Sequence, residues 1–239
     1  MNPKHKPPKH IAWNVQLAAQ LDDLRINLDS NTIPAIADNL AESLRCYGFA
    51  LLSGLGRSGE RDATAAELIK LASLLGTVVP QSPRGEQVED VRDFSDVEAK
   101  DDRGYRSRGE LSPHSDPSTL IVLHCLQPAK SGGESHIVNV RSIHDRIASI
   151  DSELLKELYR GFPNWRVAGQ YGHSKPGPAK DRRPIFTMHD DVVSCVLYRP
   201  FVEMAANALG EPLTEAQVAA LDLFEDCANA PELALRFSL

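Results

Sequence analysis

The chain has 239 residues, of which 42% are hydrophobic and 25% are charged, so it can bury a sizeable core without disulfides or a structural metal. Its net charge of −7 excludes the basic footprint that is typical of nucleic-acid-binding proteins. The longest apolar runs are far shorter than the roughly 20 residues of a membrane helix. Residues 1–13 lack the apolar core of a secretory signal, and the four cysteines form no CxxC motif. We therefore expect a cytoplasmic protein with reduced thiols and no membrane or nucleic-acid partner.

The front third of the chain predicts a mixture of helices and strands. Residues 1–30 form a basic, proline-containing tail and a first helix. Apolar residues recur at helical spacing from Ile33 to Leu44, and Gly48 is a suitable C-terminal stop. Residues 49–52 predict a short buried strand, and residues 63–75 predict a second helix that stops at Gly76.

After a long polar loop over residues 80–113, the pattern changes to strand-like and helix-like runs. The strand-like runs are residues 119–126, 134–140, 184–188 and 192–199, the last two forming a hairpin. The helix-like runs are residues 141–150, 152–159 and 214–228, the last opened by a Thr214–Gln217 capping box. This order does not follow regular βαβ alternation. It favours a β-sandwich or barrel-like core decorated by helices.

The sharpest local feature is a histidine and an aspartate separated by one residue. His114-Ser115-Asp116 ends the polar loop, directly before the most apolar run. In an extended segment, side chains two residues apart project from the same face, so the imidazole and the carboxylate would lie side by side. Such a pair makes up two of the three ligands in the 2-His-1-carboxylate triad of non-haem Fe(II) oxygenases. The same pair also arises by chance at a polar loop end, so the motif alone does not decide.

The order of the surrounding motifs resembles the TauD/TfdA family of Fe(II)/2-oxoglutarate dioxygenases. In that family an H-[ST]-D segment precedes a strand, a P-x-x-x-G-G-[DE]-[ST] turn, another strand and a helix. Here residues 128–135 read Pro-Ala-Lys-Ser-Gly-Gly-Glu-Ser, in the expected place after His114-Ser115-Asp116. Upstream, residues 47–55 read Tyr-Gly-Phe-Ala-Leu-Leu-Ser-Gly-Leu and resemble an early strand of the family. The resemblance covers about residues 30–239.

The resemblance implies a fold, a reaction and site residues. The fold would be mainly β with helical decorations around a double-stranded β-helix, or jelly-roll, core over residues 31–239. His114 and Asp116 would be catalytic Fe(II) ligands, and Ser135 would help to hold 2-oxoglutarate. The reaction would hydroxylate or otherwise oxidise a small polar organic substrate and release succinate and CO₂. A homo-oligomer is compatible with this assignment.

The resemblance also implies a third ligand that this sequence does not supply in the expected place. Family members carry a second iron-binding histidine well over a hundred residues after the H-x-D segment, and an arginine for the co-substrate shortly after it. Residues 229–239 contain no histidine. We therefore expect the domain to be C-terminally incomplete and the 239-residue chain to bind Fe(II) poorly.

Other residues offer alternatives for these missing roles. His189, at a predicted hairpin tip, is one alternative third ligand, and Arg199 or Arg183 is an alternative carboxylate-binding group. The remaining histidines of the second half are assigned to packed, surface or loop positions: His124 and His136 in strands, His144 on a surface helix and His173 in a loop. Charged residues before His114 are candidates for lining a substrate pocket: Arg103, Arg106, Arg108 and Glu110. The competing functional class is a non-catalytic jelly-roll binding protein, and a cupin-like site for another metal is a third option.

Overall fold

A computed structural model describes residues 21–28, 33–56, 59–82, 85–94, 109–116, 118–167 and 175–237. These residues divide into two compact units. The first unit is drawn from residues 1–78, 122–142 and 231–239, and the second from residues 79–121 and 143–230. The predicted tail and first helix over residues 1–30 lie largely outside the described residues.

The first unit contains two helices and two small sheets. Its elements are β1 (Ile26–Asn27), α1 (Ile33–Tyr47), β2 (Leu52–Ser53), α2 (Arg61–Ala72), β3 (Ser135–Val138) and β8 (Ala234–Phe237). Strands β1 and β2 pair in parallel, and β3 and β8 pair antiparallel, with Ser135 opposite Phe237. Both predicted helices are confirmed, although α2 is shorter than its pattern indicated.

Apolar burial explains why α1 forms where it does. Ile36 and Leu40 face Leu71 of α2 in a small core, as their helical spacing predicts. The helix ends at Gly48, whose φ of +79° lies in the left-handed region that favours glycine. A second cluster joins Leu51, next to β2, to Leu235 of β8. The two clusters together fix both small sheets against the helices.

The second unit contains most of the helices. Its elements are α3 (Val140–Ile150), α4 (Ser152–Leu158), β4 (Trp165–Arg166), β5 (Gly177–Pro178), β6 (Phe186–His189), β7 (Val192–Cys195), α5 (Arg199–Leu209) and α6 (Glu215–Asn229). The predicted hairpin is confirmed, because β6 and β7 pair antiparallel around Asp190 and Asp191. Both turn residues have positive φ, as a two-residue type I′ turn requires. The predicted capping box is also present, with the Thr214 hydroxyl accepting from the Gln217 backbone N–H.

An aromatic cluster forms the centre of the second unit. The ring of Phe186, at the start of β6, is fully buried and packs near Tyr159, Phe224 and His144. The centroid distances to these three rings are 6.0, 5.6 and 5.6 Å, the usual spacing of aromatic pairs. This cluster anchors the β6–β7 hairpin against α6 and so fixes the strand end that holds the candidate site.

Three strand predictions were wrong in their extent. The strand predicted over residues 49–52 is observed only over Leu52–Ser53. Residues 119–126, predicted as the most apolar strand, form no strand, and their large side chains are exposed, with Leu123 at 62%. Apolar alternation favours a strand only where a partner supplies the hydrogen-bond ladder, and none of the described strands pairs with this run. The strand predicted over residues 192–199 ends at Cys195, because Pro200 opens α5.

All sheets within the described residues have two strands, and the helices outweigh them. This mixed α and β character does not conflict with the predicted fold, while the mainly β, jelly-roll core stays a prediction. Of the described helices, none has the length and hydrophobicity needed to cross a membrane.

Candidate functional site

The His114-Ser115-Asp116 segment runs alongside the end of β7 in the second unit. The Ser115 backbone N–H donates to the Leu197 carbonyl at 2.9 Å, and the Ser115 hydroxyl donates to the Cys195 carbonyl at 2.9 Å. The same hydroxyl accepts from the Leu197 backbone N–H at 3.0 Å. Ser115 is half-buried, whereas His114 and Asp116 are exposed. This alternation of exposure is what an extended segment with both candidate ligands on its outer side would show.

The imidazole of His114 is held in one orientation. Its Nδ1 lies 2.9 Å from the Ser112 carbonyl oxygen, which can only accept, so Nδ1 carries the hydrogen. The ring of Tyr198 stands edge-on to it, with centroids 5.8 Å apart. The hydrogen on Nδ1 leaves the Nε2 lone pair free, which is the arrangement typical of metal-binding histidines. Ser112 and Tyr198 were not singled out from the sequence, because only folding brings Tyr198 to this loop.

The Asp116 carboxylate is available for a ligand. Its backbone carbonyl accepts from the Ser118 N–H at 2.8 Å, while no ion pair engages its side chain within the part of the chain that the structure describes. An ionised carboxylate with free oxygens is a suitable ligand for a divalent cation. His114 and Asp116 therefore supply one nitrogen and one oxygen donor on the same exposed face.

The family model for taurine catabolism dioxygenases, the TauD/TfdA family, matches residues 11–239. The chain belongs to the TauD/TfdA family. A curated relative, FR-33289 synthase from Streptomyces rubellomurinus, is 33% identical over 192 residues. That match takes in 78% of this chain and 55% of the relative, so the chain spans about half of the relative's length.

Of the three ligands that a TauD/TfdA iron site would require, the described residues offer two candidates, His114 and Asp116. No group of three His, Cys, Asp or Glu side chains converges on a metal position among them. His189, the alternative third ligand, is 92% exposed at the end of β6 and lies 3.4 Å from its neighbour Asp190. The structure therefore does not bring His189 into a triad with His114 and Asp116. The donor types fit iron, but the described set is one ligand short.

Arg199, an alternative anchor for the TauD/TfdA co-substrate, is already engaged. At the start of α5 its guanidinium forms ion pairs with Glu203, Asp222 and Glu225 at 2.7–2.8 Å. Burial disfavours its charge, but the hydrogen bonds from the three carboxylates outweigh that effect and raise the pKa of Arg199. The guanidinium of Arg199 thus joins α5 to α6, and its carboxylate partners are those of the protein itself.

Ser135, expected to contact 2-oxoglutarate, begins β3 in the first unit and is half-buried. It follows Gly132 and Gly133, both of which have positive φ, as expected for this tight turn. Its role toward the co-substrate stays a prediction. Arg183 uses its backbone in a bridge to Phe162, and its side chain is exposed.

The other histidines of the second half of the chain lie away from the candidate ligands in sequence, and the structure describes the positions of three of them. His144, predicted on a surface helix, is instead 9% exposed, and its ring packs edge-on against Tyr159 and Phe186. His136 is exposed on β3, 3.7 Å from Glu134. His124 is half-buried outside any strand. His173 and the arginines predicted to line a pocket, Arg103, Arg106 and Arg108, lie outside the described residues, and Glu110 is exposed.

Proposed function

We propose that this protein is an Fe(II)- and 2-oxoglutarate-dependent oxygenase that acts on a small polar organic substrate. The observation that carries the proposal is the pairing of a free His114 Nε2 with the Asp116 carboxylate on one exposed face, within a TauD/TfdA-family sequence. A third iron ligand would come from outside the described residues. The relative named a synthase supports an enzymatic rather than a purely binding role.

In the proposed reaction, bound iron would supply the oxidation of a substrate C–H bond, coupled to conversion of 2-oxoglutarate and O₂ to succinate and CO₂. His114 would bind the metal through Nε2 while its Nδ1–H remains on the Ser112 carbonyl. Asp116 would contribute a negative oxygen ligand that partly neutralises the cation. A carboxylate at this position also occupies the place that a halide would need, which favours hydroxylation or a related oxidation.

The finer parts of the proposal rest on the family. A jelly-roll core would surround the metal, Ser135 would help to hold 2-oxoglutarate, and the protein would work in the cytoplasm as a monomer or homo-oligomer. The absence of a basic excess supports a small-molecule substrate rather than a nucleic acid.

Succinate formation tests the proposal directly. The protein is incubated with 2-oxoglutarate, O₂ and a panel of small polar acids, with Fe(II) raised until the rate saturates, and succinate is measured by mass spectrometry. We expect succinate only when Fe(II) is present, and substrate-stimulated release above the uncoupled rate. Turnover without iron, or no succinate at any Fe(II) concentration, would favour the non-catalytic binding role instead.

The Asp116→Ala variant tests the ligand assignment. Loss of the carboxylate should reduce succinate formation by at least a hundredfold and weaken metal binding. A water molecule in place of the Asp116 carboxylate would bind the metal more weakly. Asp181→Ala is the matched control, since Asp181 is exposed in the same unit and lies far along the chain from the segment. The Asp116→Ala assay is repeated with added chloride or azide, because the metal position vacated by the carboxylate would accept such an anion. Equal activity in the two variants would contradict the assignment.

A further inference from the structure

We propose that Ser115 is a positioning residue that holds His114 and Asp116 in the arrangement a divalent cation requires. This inference rests on the proposed function, since it concerns the same metal site. Ser115 stands between the two candidate ligands, and its side chain points away from their exposed face. Its hydroxyl donates to the Cys195 carbonyl and accepts from the Leu197 N–H, at 2.9 and 3.0 Å.

The backbone of residues 195–197, to which Ser115 forms its hydrogen bonds, is itself held by the core of the second unit. The Leu197 side chain is only 1% exposed, and the neighbouring Val196 N–H donates to the Ile185 carbonyl at 3.0 Å. Two residues after Leu197, Arg199 is fixed by three carboxylates from α5 and α6. Residues 195–199 therefore form an anchor whose position is set by the core of the second unit, which we call the β7–α5 junction.

The same junction also controls the imidazole of His114. Tyr198 follows Leu197 directly, and its ring packs edge-on against His114 and, at 4.7 Å, against Phe201 of α5. The orientation of the His114 ring thus depends on how the segment sits against the junction. Without the Ser115 hydroxyl, the Ser115 N–H to Leu197 carbonyl bond would be the one remaining hydrogen bond between these two stretches of described backbone.

Removing the hydroxyl has two separable consequences. The Leu197 N–H and the Cys195 carbonyl lose their hydrogen-bond partner, which is the effect expected on removing any structural hydrogen bond. In addition, His114 is released from a single orientation, so its Nδ1–H to Ser112 contact is no longer enforced. Residues that orient metal ligands typically change metal affinity ten- to a hundredfold when they are removed.

The experiment compares Ser115→Ala with Ser115→Thr, which keeps the hydroxyl, and with Ser194→Ala. Ser194 is exposed on β7, the strand whose end contacts Ser115. Its variant therefore removes a hydroxyl from this strand but leaves the His114-Ser115-Asp116 segment unchanged. Each protein is titrated to saturation with Co(II), which binds nitrogen and oxygen sites more tightly than Fe(II) and has a visible absorption spectrum that reports its ligands. We expect Ser115→Ala to bind Co(II) about tenfold or more weakly with an altered spectrum. Ser115→Thr and Ser194→Ala should match the parent protein.

A metal-free measurement separates this inference from the proposed function. Two-bond ¹H–¹⁵N spectra at pH 8 identify the tautomer of His114, with its signals assigned through His114→Gln. We expect a single Nδ1–H tautomer in the parent protein and a mixture in Ser115→Ala. If the parent protein binds no Co(II), the proposed metal site fails, and the tautomer alone decides the role of Ser115.

A purely structural role would give a different result. In that case Ser115→Ala would unfold at a lower temperature but keep both the Co(II) spectrum and the single tautomer, which would overturn the inference. If Ser115→Ala does not fold, Ser115→Cys takes its place, because it retains the side-chain volume with a much weaker donor. A Ser115→Cys protein with the parent tautomer and the parent Co(II) affinity would equally overturn it.

Discussion

His144 shows how one residue changes meaning once its neighbours are known. As a histidine on a helix it resembles a surface residue, yet the structure places its ring among aromatic side chains with an exposed fraction of 9%. Its Nδ1 lies 2.9 Å from the Asp145 carboxylate, which satisfies the polar edge of the buried ring. The helix face bearing His144 is therefore part of the core of the second unit.

We accordingly expect His144→Ala to lower the free energy of unfolding by about 2–4 kcal/mol, because a buried ring is replaced by a cavity. The measurement is urea denaturation followed by circular dichroism. His136→Ala provides the control, since His136 is exposed on β3, and it should change stability by less than about 0.5 kcal/mol. A His144→Ala protein as stable as this control would show that the ring does not pack as described.

Cys195 illustrates a titration effect at the residue scale. Burial raises the pKa of its thiol to about 12, and a hydrogen bond with Ser115 opposes this only in part. The thiolate is the reactive form, so the native protein should alkylate Cys195 very slowly at pH 8.5, and urea should remove the protection. Peptide mass spectrometry after iodoacetamide treatment measures the rate. Equally fast labelling with and without urea would contradict the burial of this thiol.

The same pKa has a consequence for stability. The folded state keeps the thiol protonated while the unfolded chain, with a pKa near 9.0, ionises first. The stability that the folded protein gains from its protonated Cys195 thiol is therefore complete below pH 9. It is lost as the pH rises toward about 12. The loss should be smaller in Cys195→Ala, which no longer titrates there.

At the scale of elements, the turn before β3 contains two glycines that differ in their surroundings. Gly132 and Gly133 have φ values of +69° and +73°. A Cβ on Gly133 would lie 2.8 Å from the Ala129 Cβ, whereas a Cβ on Gly132 would meet nothing within 4 Å. Both glycines avoid backbone strain, but only Gly133 also avoids a steric clash.

We expect Gly132→Ala to cost about 1 kcal/mol of unfolding free energy and Gly133→Ala clearly more, since strain and overlap add. Thermal and urea unfolding of the two variants measure the difference, and each variant serves as the control for the other. The order would be reversed, or absent, if the turn adopted another conformation.

At the scale of the whole molecule, the number of protein ligands limits how tightly iron can bind. Among the described residues one histidine and one aspartate form the candidate site, and two protein ligands alone would hold iron poorly against water. We expect Fe(II) titrated anaerobically into residues 1–239 to bind more weakly than micromolar, and His189→Ala to change nothing. Micromolar affinity with 2-oxoglutarate turnover, both lost in His189→Ala, would instead identify His189 as the third ligand.

Local signals in the sequence determined the parts of this protein that depend on neighbouring residues. The Thr214–Gln217 capping box and the Gly48 stop were both correctly predicted, because each involves contacts within a few residues. The family followed from the order of such local motifs along the chain.

Only the tertiary structure decided which segments find partners. The apolar run 119–126 has no strand partner among the described residues, while residues 234–237, for which no strand was predicted, pair with β3. Arg199 pairs with carboxylates up to 26 residues away, and Ser115 forms hydrogen bonds with residues some 80 positions along the chain. Pairing and burial over such distances depend on how distant segments meet, and the pattern within one segment carries no information about that.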